Sequence, residues 1–591
     1  MTSSGSAPAG SDGGQSRRNL IIGVLSVFLL VAMVVGTVAF FLTEKVEEDM
    51  DLNMRTMSTT TRTVDLFCAP TDYHGTCQET LDRALSRSSD PADHPHAAAA
   101  AAITAVERAL AQGFNRSSLL DAVRQSNDTR VQEAVHDCRM LLDDCRSNVE
   151  RALSSIAWRG VDGPAQDLQA WLSAVITFQG SCVDMFPKGD IRDQVKNTMH
   201  KAREISSNAI AIIQQGAALA AMLDLHTDEV DGDKGKGNDT NRRLEESVSV
   251  PTWVPKEERK LLAGKGGKSK VRLTPNVTVA KDGSGDFTNI SAALASMPQT
   301  YEGRYIIYVK EGVYDETVNI TNRMANVTMY GDGSRKSIVT GSKNVLDGIR
   351  MWRTATFAVD GDKFTAMRLG IRNTAGAEKQ QAVALRVKAD KAVFFNCRIE
   401  GHQDTLFAQA YRQFYRSCVI SGTVDFIFGD AAAVFQRCVV LVRPPLPGQP
   451  AVVTAHGRRD HQQTTGFVVH KSSIVADERL SSNKSASAAT KTYLGRPWKE
   501  FARTVVMESV IEGFVHGQGY MPWEGQDSLG TAFFGEFGNA GNGANVTGRT
   551  EMKGFHVMGK DKATQFSVGH FLHGAEWIPE TGTPVSLGLS G

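Results

Sequence analysis

Short β-rich runs that recur about every twenty residues are the strongest constraint on the fold of the C-terminal half of this 591-residue chain. Cys397, Cys418 and Cys438 stand 21 and 20 residues apart in the segments FFNCRIEG, FYRSCVISG and FQRCVVLV. The aromatic residues that recur beside them are Phe395, Tyr415 and Phe435, with Phe414 offset by one. Solenoids stack equivalent side chains of successive coils at such a period. The repeat predicts an all-β right-handed parallel β-helix with buried cysteines.

Two segments of this predicted β-helix each place one Asp among apolar residues. GHQDTLF contains Asp404 and SGTVDFIFGD contains Asp425. A buried carboxylate is destabilising unless it is paired or used in chemistry. Adjacent coils lie about 4.8 Å apart, so the two carboxylates could line one face. Their pKa values would then diverge, and one group stays ionised while the other holds a proton. The pattern indicates acid–base or nucleophile–acid chemistry.

Polar and aromatic residues nearby fit such a site. The neutral amides of Gln381 and Gln403 could stabilise an oxyanion without competing for protons. In YLGRPWKE, Arg496 could orient a carboxylate with two hydrogen bonds, and Trp498 offers a flat surface for a sugar ring. Taken singly, each of these residues fits a structural ladder of the solenoid or a surface ion pair equally well.

The segments that carry these residues resemble the signature blocks of plant pectin methylesterases. In chain order the blocks are GVYDE (Gly312 to Glu316), QAVALR (Gln381 to Arg386), GHQDTLF, GTVDFIFG (Gly422 to Gly429) and LGRPW (Leu494 to Trp498). The match begins near Thr274 and runs to the C-terminus. The resemblance implies that Asp425 attacks the methyl-ester carbonyl of a galacturonate. It implies that Asp404 protonates the leaving methanol and then activates water.

The same resemblance implies roles for the neighbouring residues. Gln381, assisted by Gln403, would donate to the oxyanion, and Arg496 would hold Asp425 in place. Trp498, Thr356 and Gln381 would contact the substrate, which is methyl-esterified homogalacturonan. Neither a metal nor an organic cofactor is implied. Zinc binding by the cysteines is disfavoured on other grounds, because no CxxC and no His pair stands at ligand spacing.

Some positions depart from the family pattern. His456 stands where the family usually has Gln, Tyr520 where Trp is common, and Asp430 where Asn is frequent. We expect His456 and Tyr520 to lie near the cleft and to affect subsite preference and pH optimum rather than the reaction. We expect Asp430 to point outward.

The N-terminal half has a different pattern. From Val64 to about Leu223, apolar residues recur at helical spacing, as in VQEAVHDCRMLLDDCRSNVERAL, which predicts antiparallel helices. This region resembles the pectin methylesterase inhibitor domain, an all-α four-helix bundle. Its four paired cysteines match Cys68, Cys77, Cys138 and Cys182, which leaves Cys145 over. Whether such a region inhibits the enzyme in cis, aids its folding or retains it until cleavage is open.

The chain also carries targeting and processing signals. Residues 19–42 are almost wholly apolar and follow Arg17 and Arg18, which predicts a signal anchor with a cytosolic N-terminus; a signal peptide that is removed is the alternative. Nine N-x-S/T sequons fit a glycoprotein of the secretory pathway. The predicted segments are a tail at 1–18, the anchor at 19–42, a stem at 43–62, the inhibitor-like domain at 63–223, a linker at 224–262 and the β-helix at 263–591.

The linker is polar and contains two dibasic sites, Arg242-Arg243 and Arg259-Lys260, which are plausible targets of a processing protease. Residues 263–591 contain 38 Lys and Arg against 29 Asp and Glu, a net charge of +9, and the remainder carries −9. A basic enzyme half suits a polyanion that an acidic half masks, although moderate charge also serves solubility alone. We expect a Golgi-membrane precursor that is cut and acts in the cell wall.

Two alternatives to an esterase remain in view. A β-helical wall-binding protein would hold pectate without turnover, but both Asp, both Gln and Arg496 are intact. A pectate lyase would need Ca²⁺-binding carboxylates and a basic Arg or Lys, and an inverting polygalacturonase would need carboxylates further apart. The context of Asp404 and Asp425 favours the esterase.

Overall fold

The computed structural model describes residues 59–86, 94–114, 126–161, 165–228, 274–481, 490–525 and 528–590. The predicted anchor at 19–42 lies outside these residues, as do the processing sites at Arg242, Arg243, Arg259 and Lys260. No helix within the described ranges is long and apolar enough to cross a bilayer.

The C-terminal half forms a parallel β-helix, as its twenty-residue repeat predicts. Successive strands visit three sheets in turn, and every pair of neighbouring strands is parallel. The first sheet contains β1 (Val277–Val279), β2 (Tyr305–Val309), β5 (Val327–Gly331), β8 (Thr365–Met367), β11 (Ala392–Phe395), β14 (Arg412–Arg416), β17 (Ala432–Gln436), β20 (Gly466–His470), β23 (Arg503–Met507), β25 (Phe533–Phe537) and β26 (Phe555–Val557).

The other two sheets complete each coil. The second sheet contains β3 (Gly312–Asp315), β6 (Ser337–Gly341), β9 (Gly370–Asn373), β12 (Arg398–Glu400), β15 (Val419–Gly422), β18 (Val439–Val442), β21 (Ser473–Ala476) and β24 (Val510–Ile511). The third sheet contains β4 (Val318–Ile320), β7 (Phe357–Val359), β10 (Leu385–Lys388), β13 (Leu406–Ala410), β16 (Ile427–Gly429), β19 (Ala451–His456) and β22 (Thr492–Pro497).

Stacked side chains fill the β-helix, as expected of a solenoid. Cys397, Cys418 and Cys438 are buried free thiols at the equivalent positions just before β12, β15 and β18. The ring of Tyr415 stacks on Phe394 and on Phe435, with centroid distances of 5.1 and 4.8 Å. The prediction that Phe395 belongs to this column is wrong. Strand register pairs Phe394 with Tyr415, because the ring that points inward precedes each cysteine by three residues.

The N-terminal half is helical. Its helices are α1 (Thr59–Cys68), α2 (His74–Leu85), α3 (His94–Phe114), α4 (Thr129–Arg159), α5 (Ala165–Met185) and α6 (Asp190–Asp228). We call residues 59–228 the helical region. One disulfide joins Cys68 to Cys77, and the other joins Cys138 on α4 to Cys182 on α5. Cys145 is a buried free thiol beside the carbonyl oxygen of Val175.

The helical region packs against the β-helix mainly through α4 and α5. These helices lie on the turns that lead from the third sheet to the first. Hydrogen bonds from these two helices join Asn148 to Tyr411 at 2.7 Å, Thr177 to Asp430 at 2.6 Å, Arg412 to Asp167 at 2.6 Å and Trp171 to Asp390 at 3.4 Å. From α6, Ser207 donates to Asp460 at 2.9 Å. The two halves nonetheless have separate apolar cores, and among the described residues of the β-helix only Ala410 and Tyr411 join the core of the helical region.

Candidate active site

Asp404 and Asp425 lie one coil apart, as their spacing predicts. Each stands two residues before a strand of the third sheet, and those strands, β13 and β16, pair in parallel. The backbone N–H of Asp404 donates to the carbonyl of Val424 at 3.1 Å. Both Asp residues have a left-handed backbone, with φ of 60° and 50°. Fourteen non-glycine residues of the described ranges share this conformation, most of them in turns between strands, so it belongs to the geometry of the coil.

Arg496 fixes one of the two carboxylates. From β22 its Nε donates to Oδ1 of Asp425 at 2.8 Å, and its Nη2 donates to Oδ2. This is the paired geometry in which a guanidinium binds a carboxylate most strongly. The indole ring of Trp523 covers the guanidinium carbon of Arg496 at 4.2 Å from the ring centroid. Arg496 therefore holds Asp425 in one orientation and stabilises its charge.

The two carboxyl groups differ in acidity. Burial raises the pKa of Asp404 well above its ordinary value, and the negative charge of Asp425 raises this pKa further. Burial also raises the pKa of Asp425, but the hydrogen bonds and the charge of Arg496 oppose that rise. Asp404 therefore keeps its proton to a higher pH than Asp425 does. This order of acidity is the one that a pairing of an ionised nucleophile with a protonated acid would require.

The two glutamines lie on neighbouring coils beside the Asp pair. The backbone N–H of Ala382 donates to the carbonyl of Gln403 at 3.2 Å, which joins the turn of Gln381 to that of Gln403. Both glutamines are half-buried, and within the described ranges their side-chain amides bond to no protein group. Thr356 stands before β7, two strands from Asp404. Its hydroxyl is buried without a partner in the described part of the chain.

Aromatic side chains cover the outer face of the third sheet. We define the aromatic row as Trp352, Phe407, Phe428, Trp498 and Trp523, which pack around one apolar cluster on this face. The rings of Phe407 and Phe428 stack at 4.5 Å, and Trp498 meets Phe428 edge-on at 6.1 Å. Gly457 makes room for Trp498, because a Cβ there would lie 2.8 Å from its indole ring. Flat apolar surfaces of this kind suit sugar rings.

Sequence reasoning found only Trp498 among the aromatic row. A signal for two others was present, because Phe407 and Phe428 each follow a catalytic candidate by three residues, in DTLF and DFIF. Strand register places both on the outer face beside Ala358 and Arg386. Trp352 and Trp523 lie outside the strands, and no local pattern brings them to this face.

Two departures from the family pattern lie elsewhere than expected. His456 is fully buried, and its Nδ1 accepts from the backbone N–H groups of Arg458 and Arg503 at 3.4 and 3.2 Å. Burial lowers the pKa of His456 well below its ordinary value, so the ring is neutral. Tyr520 is 1% exposed and stacks on Phe534 at 4.4 Å inside the coil. The expectation that His456 and Tyr520 lie at the cleft is wrong.

Asp430 also differs from expectation, since it is buried under α5 instead of pointing outward. Its carboxylate accepts hydrogen bonds from Thr177 and Thr465 at 2.6 Å and from Gln463 at 2.8 Å. Burial raises its pKa to about 6. Asp430 is thus a titratable contact between the β-helix and the helical region.

The contribution of Asp430 to stability should fall as the pH rises. Its pKa is higher in the folded chain than the ordinary 3.8, so the folded state binds the proton more tightly. That contribution is fully present below pH 3.8 and is lost as the pH passes about 6. The loss amounts to up to about 3 kcal/mol. Between pH 4 and pH 7 the melting temperature of the parent chain should drop more than that of Asp430→Asn. Parallel pH curves for the two proteins would contradict this assignment.

One group of metal-ligating side chains occurs within the described ranges, and it does not include the Asp pair. The ligand atoms of Asp72, Asp460 and His461 lie within 4.8 Å of one another at the contact between the two halves. Asp72 accepts from Nδ1 of His461 at 2.9 Å when the ring is protonated there. Asp460 accepts instead from Ser207 and from the backbone N–H of Gln462, and the group lies apart from the candidate chemistry.

A parallel β-helix with two buried carboxyl groups on adjacent coils, a bidentate arginine and an aromatic row has the features of a carbohydrate-active enzyme. The profile of the pectinesterase family matches residues 276–575, and that of the plant invertase/pectin methylesterase inhibitor family matches residues 62–212. The chain therefore belongs to the pectinesterase family and carries an inhibitor-type helical region.

Individual relatives agree with the family match. The chain is 39% identical to the "Putative pectinesterase/pectinesterase inhibitor 45" of Arabidopsis thaliana, over 97% of this chain and 96% of the relative. It is 40% identical to the "Probable pectinesterase/pectinesterase inhibitor 13" of the same plant, over 89% and 82%. Among solved structures, a carrot pectin methylesterase matches with a TM-score of 0.53 and 45% identity, over 54% of this chain and 99% of the carrot chain.

Proposed function

We propose that this pectinesterase removes methyl esters from the galacturonate residues of pectin, with Asp425 as the nucleophile and Asp404 as the acid and base. The observation that carries the proposal is the bidentate clamp of Arg496 on Asp425, one coil from a carboxyl group that retains its proton. An aspartate serves as a nucleophile only while it is ionised, and the clamp favours that state.

In the first step, a carboxylate oxygen of Asp425 attacks the ester carbonyl carbon and forms a tetrahedral intermediate. The amides of Gln381 and Gln403 donate to its oxyanion, because they have no competing partners among the described groups. The intermediate collapses, the bond from carbon to the methoxy oxygen breaks, and the Asp404 proton passes to that oxygen. Methanol leaves, and the acyl group remains on Asp425 as an anhydride.

In the second step, Asp404 is a carboxylate and takes a proton from water. The resulting hydroxide attacks the acyl carbon, and the bond to the Asp425 oxygen breaks. Asp425 returns to its ionised form under Arg496, and Asp404 is protonated again. The products are a free galacturonate carboxylate and methanol. Trp498 and the other rings of the aromatic row hold the sugar residues during both steps, and Thr356 stays a predicted substrate contact.

The test is methanol release from highly methylated pectin by residues 263–591. The β-helix has its own apolar core. The carrot enzyme is matched over 99% of its length by only 54% of this chain, which indicates that such a domain folds without a helical region. Methanol release is the expected result. A folded protein that binds pectate but releases no methanol would instead favour a wall-binding function.

We also propose that the helical region masks the cleft before processing. The ionic contacts of the region reach both ends of the aromatic row. At one end, Trp352 donates to Asp137 at 3.2 Å, and at the other, Lys499 pairs with Asp184 at 2.8 Å. A protease that cuts at Arg242-Arg243 or Arg259-Lys260 would separate the two halves. In this proposal the precursor is anchored in a membrane of the secretory pathway, and the enzyme acts in the cell wall after cleavage.

The uncut chain should therefore be less active than the enzyme half alone. We expect kcat/KM for methanol release to be about 100-fold lower in residues 43–591 than in residues 263–591, because a tethered inhibitor acts at high effective concentration. Arg242→Gln/Arg243→Gln and Arg259→Gln/Lys260→Gln substitutions together keep the chain intact during the assay. Equal kcat/KM values for the intact chain and for the enzyme half would contradict the masking role.

A further inference from the structure

A cavity of about 740 Å³ lies where α5 and α6 dock on the β-helix. This volume is typical of small-molecule sites. On the helical side the cavity is lined by Gln166, Gln169 and Gln214. On the other side lie the loop after β19, the first residues of β17, β23 and β25, and the short helices Lys560–Thr564 and Val568–Phe571. Its lining residues in the described ranges include neither the Asp pair nor any member of the aromatic row, so the cavity is separate from the candidate active site.

The cavity is strongly basic. Its lining includes four cations, which are Arg412, Arg458, Arg503 and Lys562, and no Asp or Glu of the described ranges. Arg412 is neutralised by Asp167 and Asp390, to which it forms salt bridges of 2.6 Å. The other three cations form no salt bridge with a carboxylate in the part of the chain that the structure describes. Three positive charges therefore face one enclosed space without a counter-ion.

Two of these cations, Arg458 and Arg503, are deeply buried. The guanidinium of Arg458 donates only to carbonyl oxygens, those of His461, Gln463 and Phe501, and burial lowers its pKa to about 10. The guanidinium of Arg503 has no hydrogen-bond partner among the described residues. Burial lowers the pKa of Arg503 well below its ordinary value, and the charge of Arg458 lowers it further. A buried cation is destabilising unless it is paired, and the open space beside Arg503 is where an anion would remove that penalty.

The nearest internal carboxylates do not fill this role. The negative charge of Asp430 favours the charged forms of Arg458 and Arg503, but it forms no salt bridge with either. Its oxygens accept hydrogen bonds from three neutral side chains instead, and burial raises its pKa to about 6. Asp460 accepts from Ser207 of the helical region. Both carboxylates are thus committed to other partners.

Aromatic rings line the same cavity. The ring of Phe533 stacks on His556 at 4.6 Å and on Phe566 at 5.5 Å, which makes a column of three rings. Nζ of Lys562 lies 5.8 Å from the ring centroid of Phe533. The cavity therefore offers apolar surface and positive charge together, which suits a ligand that combines a ring with a negative charge.

We propose that this cavity binds a small organic anion, a ring that carries a carboxylate, which accepts hydrogen bonds from Arg503 while the ring packs on the phenylalanines. The amides of Gln166, Gln169 and Gln214 supply donors and acceptors for polar substituents of the ring. Because these glutamines belong to the helical region and Arg503 belongs to the β-helix, the ligand contacts both halves. By linkage it stabilises their docked arrangement. The site does not depend on the chemistry proposed for the Asp pair.

The experiment is isothermal titration calorimetry of the uncut chain, residues 43–591 with the dibasic sites of the linker substituted as above. The probes are benzoate and glucuronate, with benzamide and glucose as their neutral counterparts. Binding of benzoate identifies an aromatic acid as the ligand class, and binding of glucuronate identifies a sugar acid. Arg503→Gln should raise the Kd about tenfold or more, because a hydrogen bond between charged groups is lost. Lys562→Gln should raise it about threefold, since an exposed charge contributes less.

The matched control is Lys560→Gln, which removes an exposed charge from the same short helix but does not line the cavity, and it should leave the Kd unchanged. Residues 263–591 alone should bind about tenfold more weakly, because they lack the wall formed by the helical region. If Arg503→Gln does not fold, the comparison of Lys562→Gln with Lys560→Gln decides the matter, because both positions are exposed.

Three results would each overturn the inference. They are no binding of either carboxylate, equal Kd values for the parent and Arg503→Gln, and binding of a neutral counterpart or of inorganic phosphate as tight as that of the carboxylates. Methanol release has no part in this test, so a failure of the proposed function would be recognised separately.

Discussion

Replacement of Asp425 with Asn should lower methanol release by residues 263–591 about 10⁴-fold or more, the scale seen when a catalytic nucleophile is removed. Asn has the shape of the carboxylate but cannot attack the ester. It also leaves the guanidinium of Arg496 without its charge partner in a largely buried site. The measurement is kcat for methanol release, with circular dichroism as the check on folding.

A milder substitution separates catalysis from folding. Arg496→Lys keeps the positive charge but loses the paired geometry, so we expect a smaller loss of kcat, about 10- to 100-fold. If Asp425→Asn retained more than a hundredth of the parent activity while folded, Asp425 would not be the nucleophile. Asp404 would then be the remaining candidate of the pair.

Replacement of Asp404 with Asn should lower kcat about 10³-fold, within the range observed for general acids and bases. The amide resembles the protonated acid in shape, but it neither protonates the leaving methoxide nor activates water. The parent enzyme should show a bell-shaped pH profile. Activity falls at low pH as Asp425 gains a proton, and its pKa is raised above 3.8. Activity falls at high pH as Asp404, whose pKa is raised well above 3.8, loses its proton.

The pH profile of the variant distinguishes catalysis from mere support of the fold. In Asp404→Asn the residual activity should keep the acidic limb and lose the basic limb, because the group that titrates at higher pH is gone. The comparison is kcat/KM from pH 4 to pH 9, corrected for spontaneous ester hydrolysis. If the variant still lost activity at high pH as the parent does, another group would cause that loss. Asp404 would then have a structural role.

Repetition made the fold and the chemical pair readable from the sequence. The spacing of Cys397, Cys418 and Cys438 predicts the coil, and the stacked column confirms it. The spacing of Asp404 and Asp425 places them on adjacent coils, which strand register bears out. The cysteine spacing and the Asp spacing both follow the length of one coil. They can therefore be recognised in the sequence even when the conformations of the turns are unknown.

Residues outside the strands were harder to place. Asp430 follows Asp425 by five residues, yet it contacts Thr177, which lies 253 positions away in the sequence. His456 was expected near the cleft. It is instead the last residue of β19, beside Gly429 and Pro497 in the sheet, and its ring is fully buried. Turn lengths differ from coil to coil, so a position beyond a strand cannot be extrapolated from the repeat.

The sequence by itself determined the β-helix, the helical region, the Asp pair and the change of net charge from −9 to +9 at the linker. Only the tertiary structure decided that Trp352 and Lys499, at the two ends of the aromatic row, meet carboxylates of the helical region. Periodicity and composition are properties of short segments, whereas these contacts join side chains from distant segments. Such contacts form only once the coils have stacked and the helices have docked on their turns.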